Sequence, residues 1–300
     1  MPEHPDFTPS PNLLTTQEAI RLITIFQSAG VTKLRLTGGE PLMRQDLPEI
    51  AQAAVDLNLA VSLTTNGVLL SRRLPALLRA GVSGINLSLD SLCPHTFSLL
   101  TRRPPQVHER VLSALHDAVT EPSLSVKLNV VVMSPHNHLT LPDFVRLTES
   151  HPLSVRFIEY MPFAGNRWKH ASFVPYSEML RSITHHYGPL SAVATHPNDT
   201  AKYFRVPGFQ GTIGFISSMS APFCAGCNRI RVTADGALKT CLFGEHEVSL
   251  RDIMRQGASD EQVLETIRRA LHDKHFALGG KGDMFGIAAG DNRSMVRIGG

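Results

Sequence analysis

The chain has 300 residues, of which 42% are hydrophobic and 18% are charged. A chain of this length and composition can bury a full hydrophobic core, either in one large α/β domain or in two smaller ones. The formal net charge of +3 is mild and no block of like charges occurs, so composition does not support binding to nucleic acid or to a membrane surface. We find no apolar run long enough to span a bilayer, and no signal- or transit-peptide pattern in the first residues.

Helices and strands alternate along the first half of the sequence. A threonine N-cap and an apolar stripe of Ile20, Ile23 and Phe26 predict a first helix that ends at Gly30. The strands predicted after it cover residues 33–37, 60–65, 84–89, 125–133 and 154–159. The helices predicted between these strands cover residues 46–56, 71–80, 106–119 and 141–150. This alternation predicts a parallel sheet built from right-handed crossovers.

These strands carry polar residues at every second position, opposite a row of aliphatic ones. The polar residues are Arg35 and Thr37, then Ser62, Thr64 and Asn66, then Asn86, Ser88 and Asp90, then Lys127 and Asn129, and finally Arg156. Parallel strands are normally apolar on both faces, because helices or a packed interior cover them. Chance or a solvated edge explains a single polar row equally well. Repetition over successive strands instead favours a curved or barrel-like sheet that encloses a large polar ligand site.

The loops after the first three strands are rich in glycine, hydroxyl and amide groups. Residues 37–41 read Thr-Gly-Gly-Glu-Pro, and paired glycines let a backbone approach a ligand closely. Residues 64–67 read Thr-Thr-Asn-Gly, and residues 88–91 read Ser-Leu-Asp-Ser. Because parallel strands end at the same edge of a sheet, we expect these groups at the edge where α/β folds place their sites.

The pattern changes after about Pro189. Shorter strands are predicted at residues 203–206 and 212–217, followed by a cysteine-rich segment, a helix at residues 260–273 and a glycine-rich tail from Gly279. We interpret residues 1–189 as a partial α/β barrel and residues 190–300 as a second, β-containing lobe that closes its open end. A glycine tail is usually mobile, but its narrow backbone also suits entry into a crowded site.

Three of the four cysteines lie in one segment, residues 223–243, which reads FCAGCNRIRVTADGALKTCLF. Cys224 and Cys227 form a C-x-x-C pair, and Cys241 follows a predicted hairpin with its turn at residues 234–236. Three grouped thiols favour an iron–sulfur cluster with one iron open to a substrate. The alternatives are a zinc site completed by a distant Cys or His, and three structural thiols.

Two arginines lie between the cysteines of this segment. On a strand, Arg229 and Arg231 share one face, while Ile230 and Val232 take the other. Guanidinium groups bind phosphate bidentately, so this pair indicates an anionic ligand beside the open iron. The alternative is a solvated strand face that carries two charges.

The motifs T-G-G-E-P, T-T-N-G, S-L-D-S-L, R-F-I-E-Y-M-P, F-C-x-x-C-N-R-I-R-V-T-A-D-G and a terminal Gly-Gly occur in this order. In this respect the chain closely resembles the GTP 3',8-cyclases, radical S-adenosylmethionine enzymes that begin molybdenum cofactor biosynthesis. The resemblance covers essentially all 300 residues. Residues 161–168, which read MPFAGNRW, are more similar to the eukaryotic, mitochondrial branch than to the bacterial one. The resemblance therefore implies the mitochondrial matrix for a eukaryotic chain, or the cytoplasm for a bacterial one.

The resemblance also implies a fold, a reaction and a set of site residues. The family has a partial, six-stranded α/β barrel, in which a 5'-deoxyadenosyl radical removes the ribose 3' hydrogen of GTP and the resulting carbon radical attacks C8 of guanine. The residues implied to hold the C-terminal 4Fe–4S cluster are Cys224, Cys227 and Cys241. Those implied to hold GTP are Arg35, Thr64, Lys127, Arg229 and Arg231. Those implied to contact S-adenosylmethionine are Gly39, Ser88 and Met161. Gly299 and Gly300 match the family's tail, which enters the active site. The resemblance implies a catalytic role for these two glycines together with Arg229 and Arg231.

The family's partners and its N-terminal motif complete these expectations. The implied partners are GTP, a reductant protein, cyclic pyranopterin monophosphate synthase downstream and a second copy in a homodimer, with no nucleic acid or membrane. The family also carries a C-x-x-x-C-x-x-C motif followed by Met-Pro, whereas this chain begins Met-Pro-Glu. We therefore expect the chain as written to lack the cluster that cleaves S-adenosylmethionine and the first strand, and to be inactive alone. The alternatives are a non-catalytic isoform that binds guanine nucleotide and a cluster, and a zinc-ribbon interaction protein.

Overall fold

The structure is a computed structural model that describes residues 8–299. Its helices are α1 Thr16–Ser28, α2 Leu47–Asp56, α3 Leu70–Arg79, α4 Pro94–Thr101, α5 Gln106–Thr120, α6 Leu141–Arg146, α7 Tyr176–Tyr187, α8 Leu250–Arg255, α9 Asp260–His272, α10 Met284–Ala289 and α11 Met295–Ile298. Its strands are β1 Lys33–Leu36, β2 Ala60–Thr65, β3 Gly84–Ser88, β4 Ser125–Val132, β5 Ser154–Glu159, β6 Ser191–Ala192, β7 Lys202–Arg205, β8 Thr212–Ile216, β9 Arg231–Val232, β10 Ala237–Lys239 and β11 Val248–Ser249. No helix among the described residues has both the length and the apolar composition of a membrane span.

A mostly parallel sheet forms the centre of the fold. Within residues 8–299 its eight strands lie in the order β1-β2-β3-β4-β5-β8-β7-β6. Strands β1 to β5 and β8 are parallel, while β7 and β6 extend the sheet in antiparallel fashion. The ends of this order, β1 and β6, do not pair with each other, so the sheet is open. This is the α/β class with an incomplete barrel that the sequence predicts.

The elements predicted in the first half of the chain are confirmed, and β2 and β5 have the predicted bounds. The helices α4 and α7 and the short C-terminal helices were not predicted. A signal for α7 does exist in the sequence, because apolar and aromatic residues recur at helical spacing on one face. These residues are Tyr176, Met179, Leu180, Ile183 and Tyr187. The tail is also more regular than its glycine content indicates, since α10 and α11 form within it.

The main hydrophobic core lies between the helices and one face of the sheet. The residues that β4 contributes to this face are Val126, Leu128, Val130 and Val132. Burying an aliphatic side chain of this size contributes roughly 1.5–3 kcal/mol. The intervening residues Lys127 and Asn129 are only partly buried, which leaves the other face of the strand polar.

A second, smaller core joins α1 to the C-terminal part of the chain. Its buried members are Leu14, Leu22, Ile25, Leu238, Leu250, Met254, Val263 and Ile267. Beside it, Arg255 of α8 forms an ion pair of 2.6 Å with Glu18 in the capping box of α1. The predicted division into residues 1–189 and 190–300 stays a prediction, and both this core and the sheet join residues on its two sides.

One buried carboxylate fixes the carboxyl end of β5. Glu159 is 0% exposed. It accepts hydrogen bonds from the backbone N–H groups of Tyr176 (2.9 Å), Met219 (2.7 Å) and Ser220 (2.9 Å), and from the Ser220 hydroxyl. The positive end of the α7 dipole adds to this stabilisation, because Tyr176 is the first residue of that helix. Glu159 therefore ties β5 to the start of α7 and to the turn after β8.

We expect the substitution Glu159→Gln to destabilise the protein strongly. The amide NH₂ would face N–H donors, and a buried donor left without an acceptor costs roughly 1–3 kcal/mol. Denaturant unfolding, monitored by circular dichroism, measures the loss. The matched control is Glu149→Gln, because Glu149 is exposed. A change below about 0.5 kcal/mol in both variants, the usual size for surface sites, would show that the contacts of Glu159 do not stabilise the fold.

Candidate active site on the polar face of the sheet

The polar residues of neighbouring strands are register partners. In one row the partners are Thr64, Asn86 and Lys127, and in the next they are Ser88, Asn129 and Arg156. Residues that are directly paired across strands project from the same face of a sheet. The polar face that the sequence predicts is therefore confirmed, and it faces away from the main core.

Five basic side chains act on one another over this face: Arg35, Lys127, Arg156, Arg229 and Arg231. Burial, followed by the charges of Arg156, Arg229 and Arg231, lowers the pKa of Arg35 to about 10. Burial is also the main cause that lowers the pKa of Lys127, Arg156 and Arg231. Water reaches Arg35, which is exposed, while the surrounding protein still excludes much of the bulk solvent.

These basic groups are not neutralised by nearby acids. Within residues 8–299, none of the five forms an ion pair with a carboxylate. The negative charge of Asp199 reaches Lys127 and Arg156 without forming such a pair. A surface that gathers positive charges without ion-pair partners attracts anions and favours a ligand with several negative charges.

Arg156 is a site residue that the sequence placed in the polar row without assigning it to a ligand. It is 4% exposed. Its Nε donates to Asn129 Oδ1 (2.8 Å), and a terminal nitrogen donates to Asn86 Oδ1 (2.8 Å). The guanidinium is thus held in place before any ligand binds. The register of β3, β4 and β5 is what identifies Arg156 as part of this face. That register depends on the parallel order of the three strands.

The carboxyl ends of the parallel strands form one edge, where the predicted loops meet. Glu40 of the Thr-Gly-Gly-Glu-Pro loop accepts from the Thr65 hydroxyl (2.7 Å) and from the backbone N–H of Asn66 (2.8 Å). This carboxylate joins the loops after β1 and β2. The residues predicted to contact S-adenosylmethionine lie along the same edge: Gly39 after β1, Ser88 at the end of β3 and Met161 after β5.

The C-terminal tail reaches this edge. The carbonyl of Gly299 accepts from Arg231 (3.0 Å). A Cβ atom on Gly299 would lie 2.8 Å from the backbone nitrogen of Gly38 and 3.0 Å from Thr37, and the φ of +78° also favours glycine. The tail therefore lies against the first glycine loop, as its composition indicated. Gly300, the other predicted tail residue, lies outside the described residues.

A chain of ion pairs anchors the tail to the hairpin of β9 and β10. Arg293 pairs with Asp235 in the hairpin turn (2.9 Å) and also with Glu247. Glu247 accepts from Lys239 (3.0 Å), whose side chain is buried. Because buried or partly buried pairs are less screened than surface pairs, this network holds the segment before Gly299 in place.

Two of the three grouped cysteines, Cys227 and Cys241, lie near Arg231. Cys224 and Cys227 share one turn, in which the N–H of Cys227 donates to the carbonyl of Cys224 (3.0 Å). Cys224 and Cys241 pack against the same hydrophobic cluster, and Cys227 and Cys241 are both close enough to Arg231 to influence its pKa. All three are half-buried free thiols. The fourth cysteine, Cys93, is also a free thiol, and it is exposed at the start of α4.

The assignment of these three cysteines to an iron–sulfur cluster stays a prediction. In the described part of the chain, no group of three or more His, Cys, Asp and Glu side chains is arranged to hold a metal ion. Neither the zinc alternative nor the predicted cluster therefore has a preformed ligand set there. A 4Fe–4S cluster spreads three thiolates over three irons. Lys274 Nζ, which lies 3.7 Å from Cys227 Sγ, supplies a positive charge of the kind that stabilises such a cluster.

Two family models together match nearly the whole sequence. The model of the radical SAM superfamily matches residues 2–148, and that of Molybdenum Cofactor Synthesis C matches residues 153–278. The mitochondrial GTP 3',8-cyclase of Arabidopsis thaliana is 45% identical over 299 residues, which are 98% of this chain and 75% of that protein. The chain belongs to the GTP 3',8-cyclase family. Membership of the radical SAM superfamily implies a 4Fe–4S cluster and S-adenosylmethionine.

Other members of the GTP 3',8-cyclase family differ from this chain in length. Molybdenum cofactor biosynthesis protein 1 of Mus musculus is 47% identical over 294 residues, which are 97% of this chain but 45% of that protein. The GTP 3',8-cyclase of Desulforamulus reducens is 38% identical over 278 residues, which are 91% of this chain and 85% of that protein. The chain thus spans about half the length of several curated relatives that it matches.

A solved structure supports the fold of this GTP 3',8-cyclase family member. The crystal structure of Streptococcus suis SuiB matches 89% of this chain and 61% of that chain, with a TM-score of 0.57 and 12% identity. Its S-adenosylmethionine-bound form matches with a TM-score of 0.56 and 11% identity. At this level of identity the likeness concerns the fold alone.

We expect inorganic tripolyphosphate to stabilise this protein, because a polyanion relieves the repulsion among the basic side chains of the polar face. A ligand at a hundred times its Kd raises the free energy of unfolding by about 2.7 kcal/mol. Thermal denaturation at low ionic strength measures this effect, which should shrink as added salt screens the charges.

Two variants test where the tripolyphosphate acts. Arg35→Met should lose most of the stabilisation, whereas Arg110→Met should keep it, because Arg110 is exposed on α5. An equal rise in melting temperature in both variants would contradict an anion site on the polar face.

Proposed function

We propose that this chain provides the substrate-binding surfaces for GTP 3',8-cyclase activity, in which GTP and S-adenosylmethionine yield (8S)-3',8-cyclo-7,8-dihydroguanosine 5'-triphosphate. This reaction is the first step of molybdenum cofactor biosynthesis. The expected inactivity of the chain alone stays a prediction. The observation that carries the proposal is the group of five basic side chains on the polar face, none of which forms an ion pair within residues 8–299. Such a surface suits a triphosphate, and the family to which the chain belongs narrows the choice of triphosphate to GTP.

The basic residues bind the phosphates of GTP in this proposal. Guanidinium groups suit phosphate because their planar fork donates two parallel hydrogen bonds. The side chains assigned to GTP are Arg35, Thr64, Lys127, Arg229 and Arg231, to which the geometry adds Arg156. They come from β1, β2, β4, β5 and the cysteine-rich segment, so the ligand site depends on the assembled sheet.

The cysteine-rich segment forms the guanine end of the site. Cys224, Cys227 and Cys241 would hold the C-terminal 4Fe–4S cluster, which would supply an open iron for the guanine of GTP. Arg231 supports this arrangement, because it lies beside two of the cysteines and donates to Gly299. It therefore links the guanine end of the site to the tail.

The carboxyl edge of the sheet holds S-adenosylmethionine. Gly39, Ser88 and Met161 contact it there, with Gly39 offering a backbone without a side chain. When bound with a reduced 4Fe–4S cluster, S-adenosylmethionine supplies the radical that removes the ribose 3' hydrogen of GTP. The chain itself binds both molecules to one surface, orients the ribose toward the carboxyl edge and limits side reactions.

The tail completes the catalytic set. We assign a catalytic role to Gly299 and Gly300 together with Arg229 and Arg231. The close approach of Gly299 to Gly38 and its bond to Arg231 support this assignment. A side chain at position 299 would push the tail away from the glycine loop.

Partners and location follow from family membership. We propose that a reductant protein supplies electrons, that cyclic pyranopterin monophosphate synthase uses the product, and that the chain acts as a homodimer. The mitochondrial matrix is proposed because the Arabidopsis relative is a mitochondrial protein and because residues 161–168 resemble the eukaryotic branch.

Iron and sulfide analysis after anaerobic reconstitution tests the cysteine assignment. Since three thiolates hold the proposed cluster, replacing Cys224, Cys227 or Cys241 by Ser should abolish stoichiometric iron and sulfide and the visible absorption of the cluster. Cys93→Ser is the matched control and should leave them unchanged. Uptake of one zinc without sulfide by the wild-type chain would contradict the cluster.

Isothermal titration calorimetry with GTP tests the nucleotide assignment. A hydrogen bond to a charged group contributes roughly 1.5–3 kcal/mol, so Arg229→Ala and Arg231→Ala should each weaken binding by about tenfold or more. The exposed residue Arg110 again provides the control, as Arg110→Ala. Unchanged affinity in both site variants would remove these two arginines from the GTP site.

A further inference from the structure

The acceptors that orient Arg156 are neutral. Its guanidinium donates to the side-chain oxygens of Asn86 and Asn129, each at 2.8 Å. The Asn86 amide cannot turn freely, because its NH₂ group donates to the carbonyl of Leu63 (3.2 Å). Its oxygen is therefore held toward Arg156.

This arrangement differs from the usual one for a buried arginine. A charge removed from water is normally paired with an opposite charge, since an unpaired buried charge is costly. Arg156 is 4% exposed, yet no ion pair within residues 8–299 includes it. The amides satisfy its hydrogen bonds but leave its charge in place.

Strand register explains why the two amides can do this together. Asn129 is the register partner of Arg156 on β5, and it is placed beside β3, which carries Asn86. Asn86 is itself the register partner of Lys127. An aspartate at either position would keep the acceptor oxygen and would neutralise one of the basic groups.

We propose that Asn86 and Asn129 are positioning residues that orient Arg156 toward the triphosphate of GTP while preserving its positive charge. Their hydrogen bonds orient the guanidinium, and because the two amides carry no charge, the positive charge of Arg156 still acts on a polyanion. Asn86 acts only through Arg156, because it is 3% exposed and is held by Leu63. This inference rests on the proposed function, since it takes GTP as the ligand.

Paired substitutions in the full chain separate charge from geometry. Asn129→Asp retains the acceptor oxygen and adds a negative charge, whereas Asn129→Leu keeps the size, removes the acceptor and adds no charge. The remote control Asn58→Asp adds the same charge at an exposed position that already has φ of +61°. The readouts are melting temperature and the Kd for GTP and for inorganic tripolyphosphate, each measured over a series of salt concentrations.

We expect Asn129→Asp to keep or raise the melting temperature and yet to weaken the binding of both ligands by roughly tenfold or more. Its affinity should also depend less steeply on salt, because one positive charge fewer acts on the phosphates. Asn129→Leu should lower the melting temperature and weaken binding less than Asn129→Asp does. Asn58→Asp should match the wild type in every measurement.

Two outcomes would overturn the inference, and they are distinguishable from each other. If the wild type binds GTP and Asn129→Asp binds it equally well, neutrality at this position has no role. If the wild type binds neither GTP nor tripolyphosphate, the proposed function fails as well. Asn86→Asp provides a second reading: weaker binding with a retained far-ultraviolet circular dichroism spectrum supports the inference, and unchanged binding contradicts it.

Discussion

Repulsion among basic side chains on one face of the sheet is the constraint on which this structure depends. Each basic residue comes from a separate strand or from the cysteine-rich segment, so the backbone ladders and the core hold like charges together. A native domain is stable by only about 5–15 kcal/mol, and this repulsion uses part of that margin. A polyanionic ligand relieves this repulsion and restores the lost stability, so ligand binding and stability are coupled.

Two carboxylates near the site, those of Glu40 and Glu159, accept hydrogen bonds from the backbone. They therefore do not neutralise the basic side chains of the polar face. Glu159 and Glu40 both accept from N–H and hydroxyl groups at the carboxyl edge of the sheet. They fix the loops and helix starts that frame the site. No ion pair among the described residues joins either one to an arginine or lysine. Glu40 and Glu159, which fix the backbone, thus lie close in the chain to the basic side chains of the polar face without pairing with them.

Much of the fold and part of the site could be predicted from local patterns. The alternation of residues along β4 identifies the face that carries Lys127, because a strand has a period of two. The capping box at Thr15 marks the start of α1 in the same way. Helix α7 was missed although its stripe has helical spacing, and the short α10 and α11 offer too few residues for any periodicity. Spacing also grouped Cys224 with Cys227, but it did not show that Lys274 lies beside Cys227.

The sequence by itself determined the α/β class, the polar rows, the grouped cysteines and the motifs of the family, because each depends on residues close together in the chain. Only the tertiary structure decided that Arg156 is held by two neutral amides and that Gly299 lies against Gly38. The first depends on the register of three strands, and the second joins residues at opposite ends of the chain. Such contacts result from the packing of the whole sheet, and no local periodicity encodes them.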